Sequence, residues 1–153
     1  MDEIKIIEWE DQYSQDFISL SVEWLEKYVY VEPGDLEIIN HPHEVVLNNG
    51  GNIFFAKYGD RVIGTAAMIK YDVNTFELAK LAVTEDFKRM KIGNQLMERC
   101  LLFAKEQSAK KIILYTNHKF TPAIGLYNKY GFKEVALEHN KYLESDIKMV
   151  LQL

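Results

Sequence analysis

Apolar positions along the chain follow two different periods, and the changes between them predict the order of the elements. Alternating or short continuous apolar runs predict seven strands, at residues 4–9, 52–58, 61–70, 76–83, 111–116, 132–137 and 147–153. Spacings of three and four residues predict helices at 11–28, 36–47, 92–108 and 121–130. The second of these helices is expected in two pieces, because His41-Pro42-His43 interrupts it.

The succession of these elements predicts an α/β fold with a mixed sheet. A strand, a long helix and a second strand between residues 76 and 116 predict a parallel pair with a right-handed crossover. Short turns join the three strands between residues 52 and 83 as an antiparallel meander, and the whole chain is predicted to form about seven strands with helices on both faces. Ligands of such sheets bind at the carboxyl ends of the central strands, here Val83 and Thr116. Residues 1–153 contain no linker or repeat and are predicted to form a single domain.

The segment from Phe76 to Met97 has the clearest local chemistry. Its predicted strand leads into a turn with Lys88, Arg89 and Lys91, after which Gly93 lies at the start of a helix. A helix N-terminus presents unpaired N–H groups and partial positive charge, and a small residue there lets a phosphate approach. From this loop alone, two interpretations stay open, a diphosphate cradle and a solvated basic turn. The P-loop pattern and the dinucleotide fingerprint are both absent.

Composition and charge exclude several classes of function. The formal net charge of the 153 residues is −5, which argues against a nucleic-acid partner. Cys100 is the single cysteine, so an internal disulfide is excluded, and its apolar helical position favours a buried thiol. The first residues, MDEIKIIEWED, lack the features of a signal peptide, and no window has the apolar length of a membrane span. We therefore expect a cytoplasmic protein without a membrane partner.

Two segments resemble the GNAT family of N-acetyltransferases. The first, ELAKLAV followed by FKRMKIGNQLM, resembles the family's acetyl-CoA motif Q/R-x-x-G-x-G/A, whose frame falls on residues 88–93. The second, TNHKFTPAIGLYNKYGF, resembles the family's other CoA segment and matches it at Asn117, Ala123, Ile124, Leu126, Tyr127, Gly131 and Phe132. The order of the elements fits the family over essentially the whole chain. Lys88 stands where Gln or Arg is usual, and Lys91 occupies the first glycine position.

The resemblance implies both a fold detail and a reaction. The central parallel strands are expected to splay at the cofactor site. The implied reaction moves an acetyl group from acetyl-CoA, as cosubstrate and without a metal, to a primary amine by direct attack. The acceptor would be a small-molecule or peptide amine, and a homodimer is compatible with the family. The alternative is a catalytically weak acyl-CoA-binding or sensor module, which the replacement of glycine by Lys91 motivates.

The resemblance also assigns residues to the cofactor. Backbone N–H groups of Leu81, Ala82 and Val83 would hold the acetyl carbonyl and the pantetheine. The second CoA segment would contribute Asn117, expected beside the pantetheine arm, together with Ala123 and Tyr127. The diphosphate would lie on the basic turn and the helix start, at Lys88, Arg89, Met90, Lys91, Ile92, Gly93 and Asn94.

Two residues are candidates for proton transfer. Strand alternation predicts that Glu77 shares a face with Ala79, Leu81 and Val83, and apolar neighbours raise a carboxyl pKa toward that of a useful base. A carboxylate that pairs with a cation or positions the substrate fits the same pattern. Tyr127 is the acid candidate beside the thiol by resemblance, whereas its spacing alone predicts an aromatic core residue.

The acceptor is expected to contact Tyr28, Tyr30, Glu32 and Glu77, because the segment around residue 30 lines the acceptor site in this family. An acidic, aromatic wall suits a cationic amine. Trp24 is interpreted as ordinary helix packing. No metal site is predicted, since His41 and His43 lack further ligands at supporting spacing.

Overall fold

The computed structural model describes residues 3–88, 90–138 and 142–153. Its strands are β1 (Ile4–Glu8), β2 (Asn52–Tyr58), β3 (Arg61–Asp72), β4 (Thr75–Val83), β5 (Lys111–Thr116), β6 (Lys133–Val135) and β7 (Ile147–Gln152). Its helices are α1 (Ser14–Tyr28), α2 (Pro33–Asn40), α3 (Pro42–Val45), α4 (Ile92–Glu106) and α5 (Thr121–Lys129). The predicted elements are all present, and the predicted interruption around Pro42 separates α2 from α3.

The strands form one mixed sheet in the order β1-β2-β3-β4-β5-β7-β6. Strands β1 to β4 run as an antiparallel meander, and β7 pairs antiparallel with both β5 and β6. The central β4 and β5 are parallel, with α4 as the crossover between them. These observations confirm the predicted seven-stranded α/β sheet with a central parallel pair.

Helices cover both faces of the sheet, as predicted. Phe54 and Phe55 are neighbours on β2, and both are fully buried, each in a different apolar core. The core around Phe54 lies under α4 and α5, whose buried positions include Leu96 and Tyr127. The core around Phe55 lies under α1 and α2 and includes Phe17. A strand with alternate residues in two cores has no solvated face, which accounts for the nearly continuous apolar run of β2.

The two central strands separate toward their carboxyl ends. Strand β4 pairs with β5 only at Thr75, Phe76 and Glu77, although β4 continues to Val83 and β5 to Thr116. Beyond these three pairs, backbone groups on the facing edges lack the partner that a parallel ladder would supply. The predicted splay at the carboxyl ends of the parallel pair is therefore confirmed.

A β-bulge in β4 lies at the start of the separation. Thr65 of β3 is opposite Ala82, whereas Ala67 is opposite Ala79, so β4 has one residue more than β3 between these pairs. Lys80, one of the two intervening residues of β4, has a positive φ of 56°. A lysine in this left-handed region is uncommon and marks a constrained position.

The bulge corrects one sequence prediction. Glu77 and Ala79 lie on the face of the sheet toward α1, with Tyr142. Leu81 and Val83 pack against the opposite core, under α4. The prediction that Glu77 shares a face with Leu81 and Val83 is therefore wrong, because strict alternation fails where a bulge inserts an extra residue.

Within residues 3–88, 90–138 and 142–153, no helix has both the length and the apolar content needed to cross a bilayer.

Candidate active site

Two cavities lie on either side of the separated ends of β4 and β5. The inner cavity, of about 80 Å³, lies between α1, the start of α2, β4, β5 and residues 142–145. The outer cavity, of about 630 Å³, lies between the end of α1, the turn after β4, the start of α4 and α5. Trp24, Leu81 and Phe120 line both cavities, so the two spaces meet at the strand separation.

The outer cavity is strongly basic. Four lysines line it, and the first turn of the 15-residue helix α4 adds the N-terminal end of its dipole. The lysines are Lys27, Lys88, Lys91 and Lys129. The Glu85 carboxylate forms an ion pair with Lys27 and lies 3.4 Å from the Lys88 ammonium, so it partly neutralises both lysines. The Lys88 ammonium also donates a hydrogen bond of 3.1 Å to the Tyr28 hydroxyl. This hydrogen bond from Lys88 lowers the pKa of Tyr28, despite its partial burial.

The backbone at the start of α4 keeps the conformation of a glycine-rich turn although one glycine is replaced. Lys91 precedes the helix with a φ of 59°, in the left-handed region that glycine adopts readily. Its side chain lines the outer cavity rather than filling the core. At Gly93, an added Cβ would meet only the Leu126 side chain, at 3.4 Å, so the cavity side of this position is open. The first N–H groups of a helix have no partner within it, so an anion can approach them from this open side.

The other predicted cofactor residues divide by location. Val83, Ile92, Asn94 and Ala123 line the outer cavity, while Ala82 lines the inner one and Leu81 both. Met90 is half-exposed on the turn and lines neither cavity. Arg89 lies outside the described residues.

The inner cavity contains a buried polar cluster. Glu77 is 3% exposed, and its carboxylate accepts a 3.0 Å hydrogen bond from the Tyr142 hydroxyl. The Lys80 ammonium forms a buried ion pair with Asp35 and lies 5.3 Å from the centre of the Tyr142 ring. Asp35 also accepts a hydrogen bond from the backbone N–H of Glu32, at 3.0 Å. The bulge at Lys80 therefore brings an ammonium and two carboxylates to the wall of one cavity.

Glu32 and Asn117 hold the chain segment that closes this cavity. The Glu32 carboxylate accepts hydrogen bonds from the backbone N–H groups of Leu143 and Glu144, at 2.5 and 2.8 Å. The Asn117 amide donates to the Glu144 carbonyl and accepts from the backbone N–H of Lys119. Glu32 lines the inner cavity, whereas Asn117 lines neither cavity. Both side chains use their hydrogen-bonding groups to fix residues 142–146 between α2 and the end of β5.

Tyr127 of α5 reaches the inner cavity from the opposite face of the sheet. It is 8% exposed, and burial raises the pKa of its hydroxyl well above the ordinary value of about 10. Within the described part of the chain, no group hydrogen-bonds this hydroxyl. At neutral pH, Tyr127 is therefore a protonated phenol whose O–H group is available to donate a hydrogen bond.

Three aromatic residues near the end of α1 differ in location. Tyr28 lines the outer cavity, beside Lys88, rather than the inner one. Tyr30 is about half exposed and lines neither cavity, and burial together with the neighbouring Glu144 raises its pKa. Trp24, which the sequence assigned to packing, contacts Phe120 at a ring distance of 4.4 Å where the cavities meet.

Several of the lining residues could not be assigned to a site from the sequence. Lys27 and Lys129 belong to helices remote in sequence from the basic turn, and Tyr142 lies 65 residues from Glu77. Asp35 and Lys80 show no spacing relation to each other in the sequence. Among the described residues, no group of three or more His, Cys, Asp or Glu side chains is arranged to hold a metal ion.

Comparisons with known proteins agree on one family. The sequence profile of the Acetyltransferase (GNAT) family matches residues 4–132. An uncharacterised N-acetyltransferase from Chlorobaculum tepidum is 28% identical over 96 residues, which span 63% of this chain and 59% of that protein. A GNAT acetyltransferase structure from Staphylococcus aureus superposes with a TM-score of 0.89 at 25% identity, over 98% of this chain and 99% of that one. A GNAT acetyltransferase from Elizabethkingia anophelis, solved with acetyl-CoA bound, has a TM-score of 0.68 at 25% identity, with full coverage of both chains.

Proposed function

We propose that this chain, which belongs to the GNAT family of acetyltransferases, transfers an acetyl group from acetyl-CoA to a primary amine. The observation that carries the proposal is the separation of β4 from β5 after Glu77, with a basic cavity on one side and a carboxylate-lined cavity on the other. A long ligand with an anionic end and a reactive end fits this arrangement.

The outer cavity supplies what the nucleotide end of acetyl-CoA requires. Lys27, Lys88, Lys91 and Lys129 offer positive charge to its phosphates, and the open backbone at Gly93 adds N–H donors. The pantetheine would lie along the unpaired edge of β4, at Leu81 to Val83, where backbone groups are free of the β5 ladder. Asn117 would act indirectly, because its amide fixes Glu144.

The inner cavity supplies groups for proton transfer. Acetyl-CoA, when bound, supplies an acyl group activated as a thioester. Glu77 takes the proton that the attacking amine must lose, and Tyr127 donates its hydroxyl proton to the leaving sulfur as a C–N bond replaces the C–S bond. The high pKa of the buried Tyr127 keeps this proton in place until the sulfur becomes negative.

The charges of the inner cavity favour an acceptor that lacks a carboxylate. Among its described lining residues, Glu32, Asp35, Glu77 and Glu144 are acidic, and Lys80, paired with Asp35, is basic. The rest of the wall is largely apolar or aromatic, including Trp24, Leu25, Val29, Phe120 and Tyr115. A cationic amine with an apolar body suits this wall, whereas an additional carboxylate meets like charges.

Matched pairs of acceptors test the function and this preference together. We expect thiol release from acetyl-CoA with tyramine, phenethylamine and cadaverine, and a kcat/KM about tenfold or more lower for tyrosine, phenylalanine and lysine, which add a carboxylate. Mass spectrometry of the product identifies the acetylated nitrogen. Equal rates for the amine and the amino acid would overturn the charge preference. Acetyl-CoA binding without turnover across a broad amine panel would instead favour the sensor module.

A further inference from the structure

The hydrogen bond between Tyr142 and Glu77 joins two residues that are far apart in sequence, inside the inner cavity. The Tyr142 hydroxyl donates to Glu77 Oε2 at 3.0 Å, and both side chains are more than nine-tenths buried. A buried carboxylate is stabilised in its ionised form by a donor at this distance. The contact therefore bears on both the orientation and the protonation of Glu77.

Tyr142 is held in place by a set of contacts around it. On its C-terminal side, Leu143 and Glu144 are fixed by the Glu32 carboxylate, and the backbone N–H of Asp146 donates to the Thr116 carbonyl. The Tyr142 ring lies 6.0 Å from the Tyr115 ring. Because these contacts already fix the Tyr142 ring, its hydroxyl can bond to the Glu77 carboxylate without a further loss of side-chain entropy.

We propose that Tyr142 is a positioning residue for the acyl transfer, whose hydroxyl holds the Glu77 carboxylate in its orientation toward the inner cavity. The inference rests on the proposed function, in which Glu77 takes the proton of the amine. Glu32 and Asn117 then support Glu77 indirectly, because their buried side chains hold residues 142–146, the segment that contains Tyr142.

Tyr142 can donate this hydrogen bond throughout the neutral pH range. Burial, followed by the charge of Glu77, raises the pKa of the Tyr142 hydroxyl well above its ordinary value, so the phenol keeps its proton. The charged and titratable groups that line the inner cavity with Glu77 come from residue 32, α2, β4, β5 and the segment after residue 141. Those described are Glu32, Asp35, Lys80, Tyr115, Tyr142 and Glu144.

The sign of the expected effect follows from the direction of the hydrogen bond. Tyr142→Phe removes a donor to the Glu77 carboxylate, and the loss of a donor disfavours the charged form of a carboxyl group. The titration midpoint measured at Glu77 is therefore expected to be higher in the variant than in the unchanged protein. Tyr115→Phe is the matched control, because it removes a hydroxyl that lines the same cavity and lies within electrostatic range of Glu77.

The test is a titration of the free protein, which requires no knowledge of the acceptor. Glutamate carboxyls are labelled with ¹³C, and the Glu77 resonance is assigned by its loss in Glu77→Gln. We expect the Glu77 midpoint to rise by about one unit in Tyr142→Phe and by less than half of that in Tyr115→Phe. An unchanged or lower midpoint in Tyr142→Phe, or an equal rise in both variants, would overturn the proposal.

A kinetic measurement distinguishes a failure of the positioning role of Tyr142 from a failure of the proposed role of Glu77 as base. With tyramine as the acceptor, or the most reactive amine of the panel, the acidic limb of the pH profile of kcat/KM should move by the same amount as the Glu77 midpoint. A midpoint that moves without the limb would remove Glu77 from the role of base, and with it the positioning role. Thermal melting reports whether Tyr142→Phe folds, and Tyr142→Met, which also lacks the hydroxyl, is titrated if it does not.

Discussion

Replacing Tyr127 by phenylalanine is expected to lower kcat about 100-fold, at the lower end of what general acid catalysis contributes. The binding constant for acetyl-CoA should stay within about twofold, because the ring and its packing in the core under α4 are retained. The loss should fall on the step in which the sulfur leaves, since the Tyr127 hydroxyl has no hydrogen-bond partner among the described residues and is available to donate.

Pre-steady-state thiol release measures this step, and calorimetry measures cofactor binding. Tyr130→Phe is the matched control for kcat, because Tyr130 lies about one turn further along and lines neither cavity. Its hydroxyl bonds to Glu98 at 2.6 Å and to the Asn94 amide at 3.3 Å, away from the strand separation. The control should retain kcat within about twofold, as expected for a hydroxyl remote from the chemistry. A Tyr127→Phe rate equal to that of the control would remove Tyr127 from the role of acid.

Glu77→Gln is expected to lower kcat/KM about 100- to 1000-fold near neutral pH, because an amide cannot accept the proton of the amine. The residual rate should rise continuously with pH, as the acceptor amine approaches its own pKa of about 10.4 and attacks without help. The wild-type protein should instead reach a plateau once Glu77 is ionised. The glutamine keeps the shape of the side chain and can still accept the Tyr142 hydrogen bond.

The pH profile of kcat/KM for Glu77→Gln, with the most reactive amine of the panel, is the relevant measurement. Glu144→Gln removes the same charge from the wall of the same cavity without removing the base, and should lower kcat/KM by less than about tenfold. A plateau retained in Glu77→Gln, or equal losses in the two variants, would assign Glu77 to substrate positioning.

The order and type of the elements could be predicted from the sequence because they depend on local patterns. The apolar stripe of α4 at Leu96, Cys100 and Phe103 is buried as its spacing requires. The parallel pair followed from a strand, helix and strand succession, for which the handedness rule leaves one topology. The short turn at Gly59-Asp60 correctly placed β2 beside β3.

The bulge in β4 could not be predicted, because Lys80 is an ordinary residue for a half-buried strand. Its positive φ is a property of the assembled sheet, in which β3 is one residue shorter than β4 between two pairs. The same bulge moves Leu81 and Val83 to the face opposite Glu77 and allows the Lys80 ammonium to meet Asp35. A single unpredicted residue therefore determined on which face of the sheet these side chains lie.

The candidate site was predicted where its residues are contiguous and missed where they are not. The basic turn and the start of α4 were recognised from a run of residues that ends at Gly93. Tyr142 could not be linked to Glu77, because 65 residues separate them in the sequence and they meet where residues 142–144 pack beside Glu32 at the start of α2. Glu32 was linked to the acceptor by its position, whereas in the structure its carboxylate is engaged by two backbone N–H groups.

A calorimetric titration of acetyl-CoA into the purified protein tests the central claim, that this cofactor binds between the separated ends of β4 and β5. We expect saturable binding at one site per chain, with an affinity that falls as salt is raised from about 0.05 to 0.5 M, because Lys27, Lys88, Lys91 and Lys129 line the outer cavity. Heats that do not saturate at millimolar acetyl-CoA would contradict the account.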